Sequence, residues 1–450
     1  MSRPGAEASD VPCGYGETTE KGPDGVKIGI IVQRYGTEIL GGSEYHCRLI
    51  AERLVARHQV EVLTTCARDY VTWANEYPEG VDRIRGVTVR RFASARTRDI
   101  EAFNRYSDWI FNHTHTRQDE LSWLAQQGPW CPALLEHLER HHTSFDVLVF
   151  FTYLYAPTVL GLQVDPGRSL LVPTAHDEPA IHLDIYKEVF SLPAAIAYNT
   201  DVERKFLTTH FSIRAIAEET VGCGVDLLQD EALDRADADE TGRTPGEGPD
   251  ADDRSYLSAR GATFRRRHRL HGPLVLYGGR IDPGKGCEEL IEYFGSYVMA
   301  GGEASLVLMG VKLMALPEEP FIRFAGRLSE EERLQALEAA TVVAVPSPYE
   351  SLSLLALESF AVGTPILANA RSDVLVDHCV RSNAGLFYAD RDEFVECLTL
   401  LIADERMRTA LGRNGQRYVR GNYRWDVILG RYEELFARLR GATRAAPARP

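Results

Sequence analysis

The chain lacks any apolar run of membrane-spanning length, any Cys-x-x-Cys pair and any excess of positive charge. Each absence excludes a class of protein. A transmembrane helix needs about 20 consecutive apolar residues, and the opening Met1-Ser2-Arg3-Pro4-Gly5-Ala6 carries no apolar core of the kind a secretory leader needs. Eight scattered cysteines suggest neither a zinc ribbon nor a disulfide scaffold. A reducing cytoplasm is the expected compartment, with peripheral contact with a membrane left open. Lys and Arg number 50 against 65 Asp and Glu, a net charge of −15, and this acidity argues against a nucleic-acid partner, which calls for a basic face.

With 450 residues, 44% of them hydrophobic, the chain is long enough for two domains that each bury a core. Composition places the divisions. Residues 1–25 read as a flexible tail, 26–227 as a first α/β domain, 228–262 as an acidic linker, 263–422 as a second α/β domain, and 423–450 as an amphipathic helix followed by a tail. Within the linker, Asp230–Ser255 is rich in Asp, Glu, Gly and Pro and almost devoid of large apolar groups, a composition that predicts disorder.

The most informative stretch runs from Thr341 to Pro365. Thr341-Val-Val-Ala-Val345 is a β-branched run of strand length, Ser353 is a natural N-cap, and a helix is expected from about Leu354 to Val362, ended by Gly363-Thr-Pro365. Glu350 then sits in the strand-to-helix loop and Glu358 about one turn inside the helix. The first amides of that helix, around Leu354, face the same space as Glu350, an anion site beside a hydrogen-bonding carboxylate. Upstream, Leu274-Val-Leu-Tyr-Gly-Gly279-Arg280 leads through Lys285 into an amphipathic helix. This is a strand and a Gly-rich turn that aims two cations at the carboxyl edge of a sheet, where they can neutralise a diphosphate. No Walker loop and no Gly-x-Gly-x-x-Gly opens either half. Between the two elements, Ser305–Gly310 and Ile322–Leu328 alternate with a helix capped by Ser329. The order implies a parallel sheet, with Gly310, Arg327 and Leu328 at its ligand edge by position.

A strand followed by Glu350-x7-Glu358, an apolar helix and Gly-x-Pro, preceded by Gly279-Arg280 and Lys285-Gly286, resembles the signature of the family 4 retaining glycosyltransferases of the GT-B fold, the glycosyl transferases of group 1. The resemblance implies two Rossmann-like domains with parallel sheets facing across a cleft. It implies that Glu350 contacts donor-sugar hydroxyls and that Glu358 binds the nucleotide ribose, with Gly279, Arg280, Lys285, Gly310, Arg327, Leu328, Ser353 and Leu354 around the donor. The same resemblance makes Gly41-Gly42-Ser43-Glu44 the amino-terminal Gly-Gly loop across from the diphosphate, His176 a contact to donor sugar and phosphate, and Gly222–Asp226 the turn at the domain exit. It also sends the helix within Tyr423–Phe436 back onto the first domain. Where many members carry Gly after the first Glu, this chain has Ser351, Leu352 and Ser353, a loop less free to adopt positive φ.

Other features stay closer to the residues. Ser43 is a natural cap for a helix expected over Glu44–Arg57. His176-Asp177-Glu178 lacks a second ligand cluster at metal spacing, and the resemblance implies no metal and no cofactor, with Arg280 and Lys285 in the metal's role. Asp69–Gly80, Phe103–Tyr106, Tyr153 and Tyr155 mix aromatic and polar groups, which fits either a sugar-binding surface or loop packing. Arg265–Arg269 reads as a solvated helix face. The expected function is a retaining, metal-independent transfer of a sugar from a nucleotide-diphosphate donor to an acceptor hydroxyl on a glycan or small molecule. The catalytic set is Glu350, His176, Arg280 and Lys285. A nucleotide-sugar epimerase, a sugar phosphorylase and a non-catalytic nucleotide-sugar-binding module are the alternatives. A hydrolase is disfavoured because the carboxylates are not placed as a pair at one glycosidic bond.

Overall fold

The computed structural model describes residues 25–39, 41–227 and 259–445. Most of the expected tails and the acidic linker up to residue 258 lie outside these residues, whereas residues 442–445, expected as the start of the final tail, continue the helix Trp425–Ala445. The last residues assigned to that linker, from Ala259, belong instead to the helix Ala259–His268.

Short β-branched runs bounded by loops set up two sheets. The first is built from β1 (Lys27–Ile31), β2 (Gln59–Thr65), β3 (Gly80–Ile84), β4 (Val87–Phe92), β5 (Val147–Phe151), β6 (Ser169–Val172), β7 (Ala195–Tyr198) and β8 (Ala217–Thr220). Their order is β3-β4-β2-β1-β5-β6-β7-β8. All neighbours run parallel except β3, which pairs antiparallel with β4 at the edge. β5 (Val-Leu-Val-Phe-Phe) and β7 (Ala-Ile-Ala-Tyr) are buried along their whole length, as strands covered by helices on both faces must be.

The second sheet contains β9 (Leu274–Ile281), β10 (Ser305–Lys312), β11 (Ile322–Gly326), β12 (Val342–Val345), β13 (Ile366–Asn369) and β14 (Gly385–Tyr388), ordered β11-β10-β9-β12-β13-β14 and parallel throughout. In both sheets the connections run outward from a central strand in opposite directions. In the second the reversal lies between β9 and β12, and in the first between β1 and β5. The crevice outside the carboxyl ends of strands at such a reversal is where ligands of open α/β sheets bind. Arg280 stands at the carboxyl end of β9 and Lys285 in the turn that follows it, and the loop with Glu350 follows β12. Facing them, the Gly41-Gly42 loop follows β1 and Tyr153 follows β5.

The helix Trp425–Ala445 returns to the first domain. Tyr432, Leu435, Phe436 and Leu439 are fully buried in one apolar cluster that also holds β1, β5 and β7 residues. Each such side chain contributes about 2 kcal/mol by leaving water. Arg431 donates to the Thr220 carbonyl, and Glu433 pairs with Arg57. Where the chain passes between the domains, Asp226 accepts from Trp425 Nε1 at 2.9 Å.

Candidate functional site

The cleft is bridged by direct contacts between the two sets of strand-end loops. Thr200 Oγ1 and Asn199 Nδ2 donate to Ser351 O and Oγ, each at 3.2 Å. Arg327 donates to the Glu38 carbonyl at 3.3 Å. Arg48, buried in the helix Gly42–Leu54, reaches Glu330 at 2.6 Å. The ring of Tyr349 stacks on His176 with centroids 5.5 Å apart.

On the second domain, Lys285 Nζ lies 2.9 Å from Glu350 Oε1 and 3.3 Å from Ser347 Oγ. Arg280 turns instead toward Asp282, 3.4 Å away, and stacks its guanidinium on Tyr70 of the first domain at 5.1 Å. Gly279 and Gly310 are paired across β9 and β10. Gly310 sits at φ 126°, and a Cβ there would lie 1.9 Å from the Gly279 carbonyl oxygen, so no other residue lets the two strand ends run this close. Leu328 and Leu354 are partly buried against the main core, whereas Arg327 is exposed.

His176 presents Nε2 3.5 Å from Glu178, whose carboxylate also accepts a 2.6 Å hydrogen bond from Tyr153. Burial pushes the Glu178 carboxyl up, but His176, Tyr153 and the charge of Lys285 outweigh it and hold the group below its ordinary value. His176, Glu178, Lys285, Glu350 and Tyr349 therefore form one constellation drawn from both domains.

Glu358 is buried in the helix Leu354–Ala361, where burial raises its pKa against the pull of Arg333. Arg333 donates to Glu358 Oε1 at 2.7 Å and to the Tyr45 hydroxyl at 2.5 Å. On the opposite side, Gly41 packs over a buried ion pair. Arg34 holds Glu44 at 2.6 Å, and a Cβ on Gly41 would meet Glu44 Oε2 at 2.1 Å. A Cβ on Gly42 would meet nothing within 4 Å, so this glycine borders open space.

Several expectations are corrected here. Ser353 does not cap its helix. It makes no side-chain cap bond and stands at φ 63°, the left-handed conformation that the loop's missing glycines would have served. Ser43 is likewise no cap. The helix starts at Gly42 with Gly41 as its cap residue, ends at Leu54, and leaves the Ser43 hydroxyl on Glu44. Trp73, Tyr153 and Tyr155 are 1%, 1% and 8% exposed, so packing claims those rings, and Phe103–Tyr106 lies on the helix Ile100–Asn112 rather than in a loop. Tyr70 alone of the Asp69–Gly80 aromatics touches a residue of the second domain by a ring contact. Arg265 is no solvated cation. Its Nε and Nη2 donate to the Ala339 carbonyl, which closes the helix Glu330–Ala339. Among the described residues, no group of three or more His, Cys, Asp or Glu side chains is placed to hold a metal ion.

Sequence reasoning missed Arg333, Tyr45, Glu178, Tyr349 and the Arg34–Glu44 pair as parts of the cleft. A weak signal exists for Arg333, which follows the Ser329/Glu332 capping box and so has a fixed place on the first turn of its helix. Glu178, Glu44 and Tyr349 stand beside expected site residues without a signal of their own, and nothing local marks Tyr45 or Arg34.

Two facing parallel-sheet α/β domains with ligand loops at their reversal points define a GT-B fold. A sucrose-phosphate synthase from Thermosynechococcus elongatus superposes with a TM-score of 0.66 at 18% identity, over 93% of this chain and 100% of that one. The Anabaena protein HepE, solved with UDP and glucose, superposes with a TM-score of 0.62 at 15% identity, over 92% and 99%. Residues 262–418 match the model of the glycosyl transferases group 1, a match that supports an enzyme acting as a glycosyltransferase. The chain is 26% identical over 349 residues to a D-inositol 3-phosphate glycosyltransferase of Corynebacterium efficiens, covering 71% of this chain and 77% of the relative. No helix among the described residues is long and apolar enough to cross a membrane.

Proposed function

We propose that the enzyme transfers a sugar from a nucleotide-diphosphate donor to an acceptor hydroxyl with retention of configuration and without a metal. The observation that carries this reading is the convergence of Lys285, Glu350 and His176 from both sheets on one point of the cleft. Lys285 and Arg280 offset the charge that grows on the departing diphosphate, Arg280 exchanging its contact with the Tyr70 ring for a phosphate oxygen. Glu350 orients the sugar through its hydroxyls, and His176 approaches from the opposite domain. The acceptor hydroxyl enters on the face the diphosphate leaves, and a diphosphate oxygen takes its proton. The protein supplies position and preorganised charge.

The Arg333–Glu358 pair with Tyr45 forms the far end of the donor site, where Glu358 meets the ribose. The name of the Corynebacterium relative supports a phosphorylated polyol among the acceptors to try. Another relative, 26% identical over 172 residues, is named for its use of GDP-mannose, which supports trying that donor beside the UDP sugars. A thermal-shift panel of UDP, GDP, ADP and TDP sugars, followed by product analysis with the best donor, tests the reading. Stabilisation by none of them, or a product of inverted configuration, refutes it.

A further inference from the structure

Glu203 is 2% exposed, and the transfer chemistry leaves it without a role. It stands in the first turn of the helix Asp201–His210, where the Thr200 hydroxyl accepts a hydrogen bond from its amide at 3.1 Å. A glutamate at this place ordinarily reaches back to the amide of its own cap residue. Here both oxygens go elsewhere. Oε1 accepts from the Ala175 amide at 2.5 Å, one residue before His176 in the loop after β6. Oε2 accepts from the Asn199 amide at 2.5 Å, at the end of β7.

Asn199 and Thr200 are in turn fixed to the second domain through Ser351, the neighbour of Glu350. A single carboxylate thus joins the loop that presents His176 to the turn that is anchored beside Glu350. Helix capping alone does not call for this arrangement, because a capping glutamate works on the surface and avoids the cost of burying an ionisable group. A neutral side chain does not replace it either. The amide of a Gln would set its own N–H₂ against one of the two backbone N–H donors.

We propose that Glu203 is a positioning residue that holds His176 in register with the Asn199–Thr200 turn, and so with Glu350 across the cleft. The proposal rests on the reading that His176 contacts the donor. The test is a double-mutant cycle on kcat/KM with UDP-glucose or GDP-mannose, whichever the thermal-shift panel selects. Glu203→Gln is expected to lower kcat/KM about tenfold or more in the wild-type background, the scale for a misplaced group at the reacting centre. In the His176→Ala background it is expected to lower it by less than about twofold, since residues acting through one another are not additive.

An equal loss in both backgrounds overturns the proposal. So does a lowered Tm with unchanged kcat/KM per folded molecule, the result a helix cap alone would give. Full activity in His176→Ala overturns both this proposal and the donor-site reading it rests on, whereas equal losses overturn the proposal alone. Should Glu203→Gln fail to fold, Glu203→Asp keeps the carboxyl group but is too short to span both amides, and the same two ratios decide.

Discussion

The Lys285 ammonium lies 2.9 Å from the Glu350 carboxylate, with side-chain exposures of 30% and 18%. The cation proposed to meet a departing diphosphate is therefore paired in the resting cleft with the carboxylate proposed to meet the sugar. On the proposed reading, an incoming nucleotide sugar would draw Lys285 toward its phosphates, and its sugar hydroxyls would replace the ammonium at Glu350. On that reading, the exchange would couple leaving-group stabilisation to the presence of the group to be transferred.

Replacing Lys285 or Arg280 with Ala should leave the fold intact, because neither side chain belongs to an apolar core cluster. Turnover should fall by a factor on the order of a hundred, the scale for losing one stabiliser of developing charge. Circular dichroism confirms folding, and wild-type turnover in either variant refutes the diphosphate assignment.

Glu350→Gln and Glu358→Gln should separate. Neutralising Glu350 frees Lys285, so the affinity for free nucleoside diphosphate is expected to be kept or tightened while turnover falls. Neutralising Glu358 removes a charged acceptor from ribose hydroxyls, an interaction worth roughly 1.5–3 kcal/mol. Its nucleotide dissociation constant is therefore expected to rise about tenfold or more. Calorimetry with free UDP and GDP reads the difference, because these ligands bring no sugar to Glu350. Equal weakening by both substitutions would show that the two roles are wrongly divided.

The fold was legible because its central strands are buried on both faces. Runs such as Val342–Val345 and Leu274–Tyr277 read as strands whatever lies around them, and the loops that follow them must share one edge of a parallel sheet. The place of Arg280, Lys285 and Glu350 at that edge was legible for the same reason. Arg333 and Tyr45 were not, because their meeting with Glu358 joins residues 288 and 25 apart in sequence and depends on how the two domains dock. The aromatic loops left two readings open because a ring that packs and a ring that binds sugar have the same composition. Only the burial of Trp73 and Tyr155 against each other, in edge-on contact at 5.5 Å, decides between them.

Activity should survive excess EDTA. The side chains gathered at the reacting centre pair cations with single carboxylates, and no set among the described residues is arranged to chelate. Loss of the rate with EDTA, restored by Mg²⁺ or Mn²⁺, would assign leaving-group stabilisation to a metal rather than to Lys285 and Arg280.

Ser353→Gly should stabilise the protein. Ser353 holds a left-handed conformation that costs a non-glycine residue about 1 kcal/mol, and its hydroxyl contributes no cap bond in return. A small rise in Tm with activity kept is expected from differential scanning calorimetry. A fall in Tm would show that the hydroxyl has a stabilising partner in solution.

His46 should make the enzyme acid-labile. It is buried beneath the Gly41-Gly42 loop's helix, edge-on to Phe151 at 5.4 Å. Burial depresses its pKa to about 4, with only a backbone contact at Gly222 opposing. In the unfolded chain a histidine titrates near 6.5. The folded pKa is the lower one, so the neutral ring contributes its full stability above about pH 6.5. That contribution is lost as the pH falls toward 4, because the unfolded state takes up a proton that the folded state resists. His46→Leu removes the titration. The variant differs from wild type by some fixed amount at pH 7.5, and the difference should move in the variant's favour by roughly 2–3 kcal/mol between pH 7 and 4. The other histidines titrate alike in both proteins and cancel. Thermal unfolding of the two proteins in parallel at pH 7.5, 6, 5 and 4.5 measures the change. A difference in stability that stays constant across the series would mean that His46 is protonated in the folded state, with water or a carboxylate reaching it.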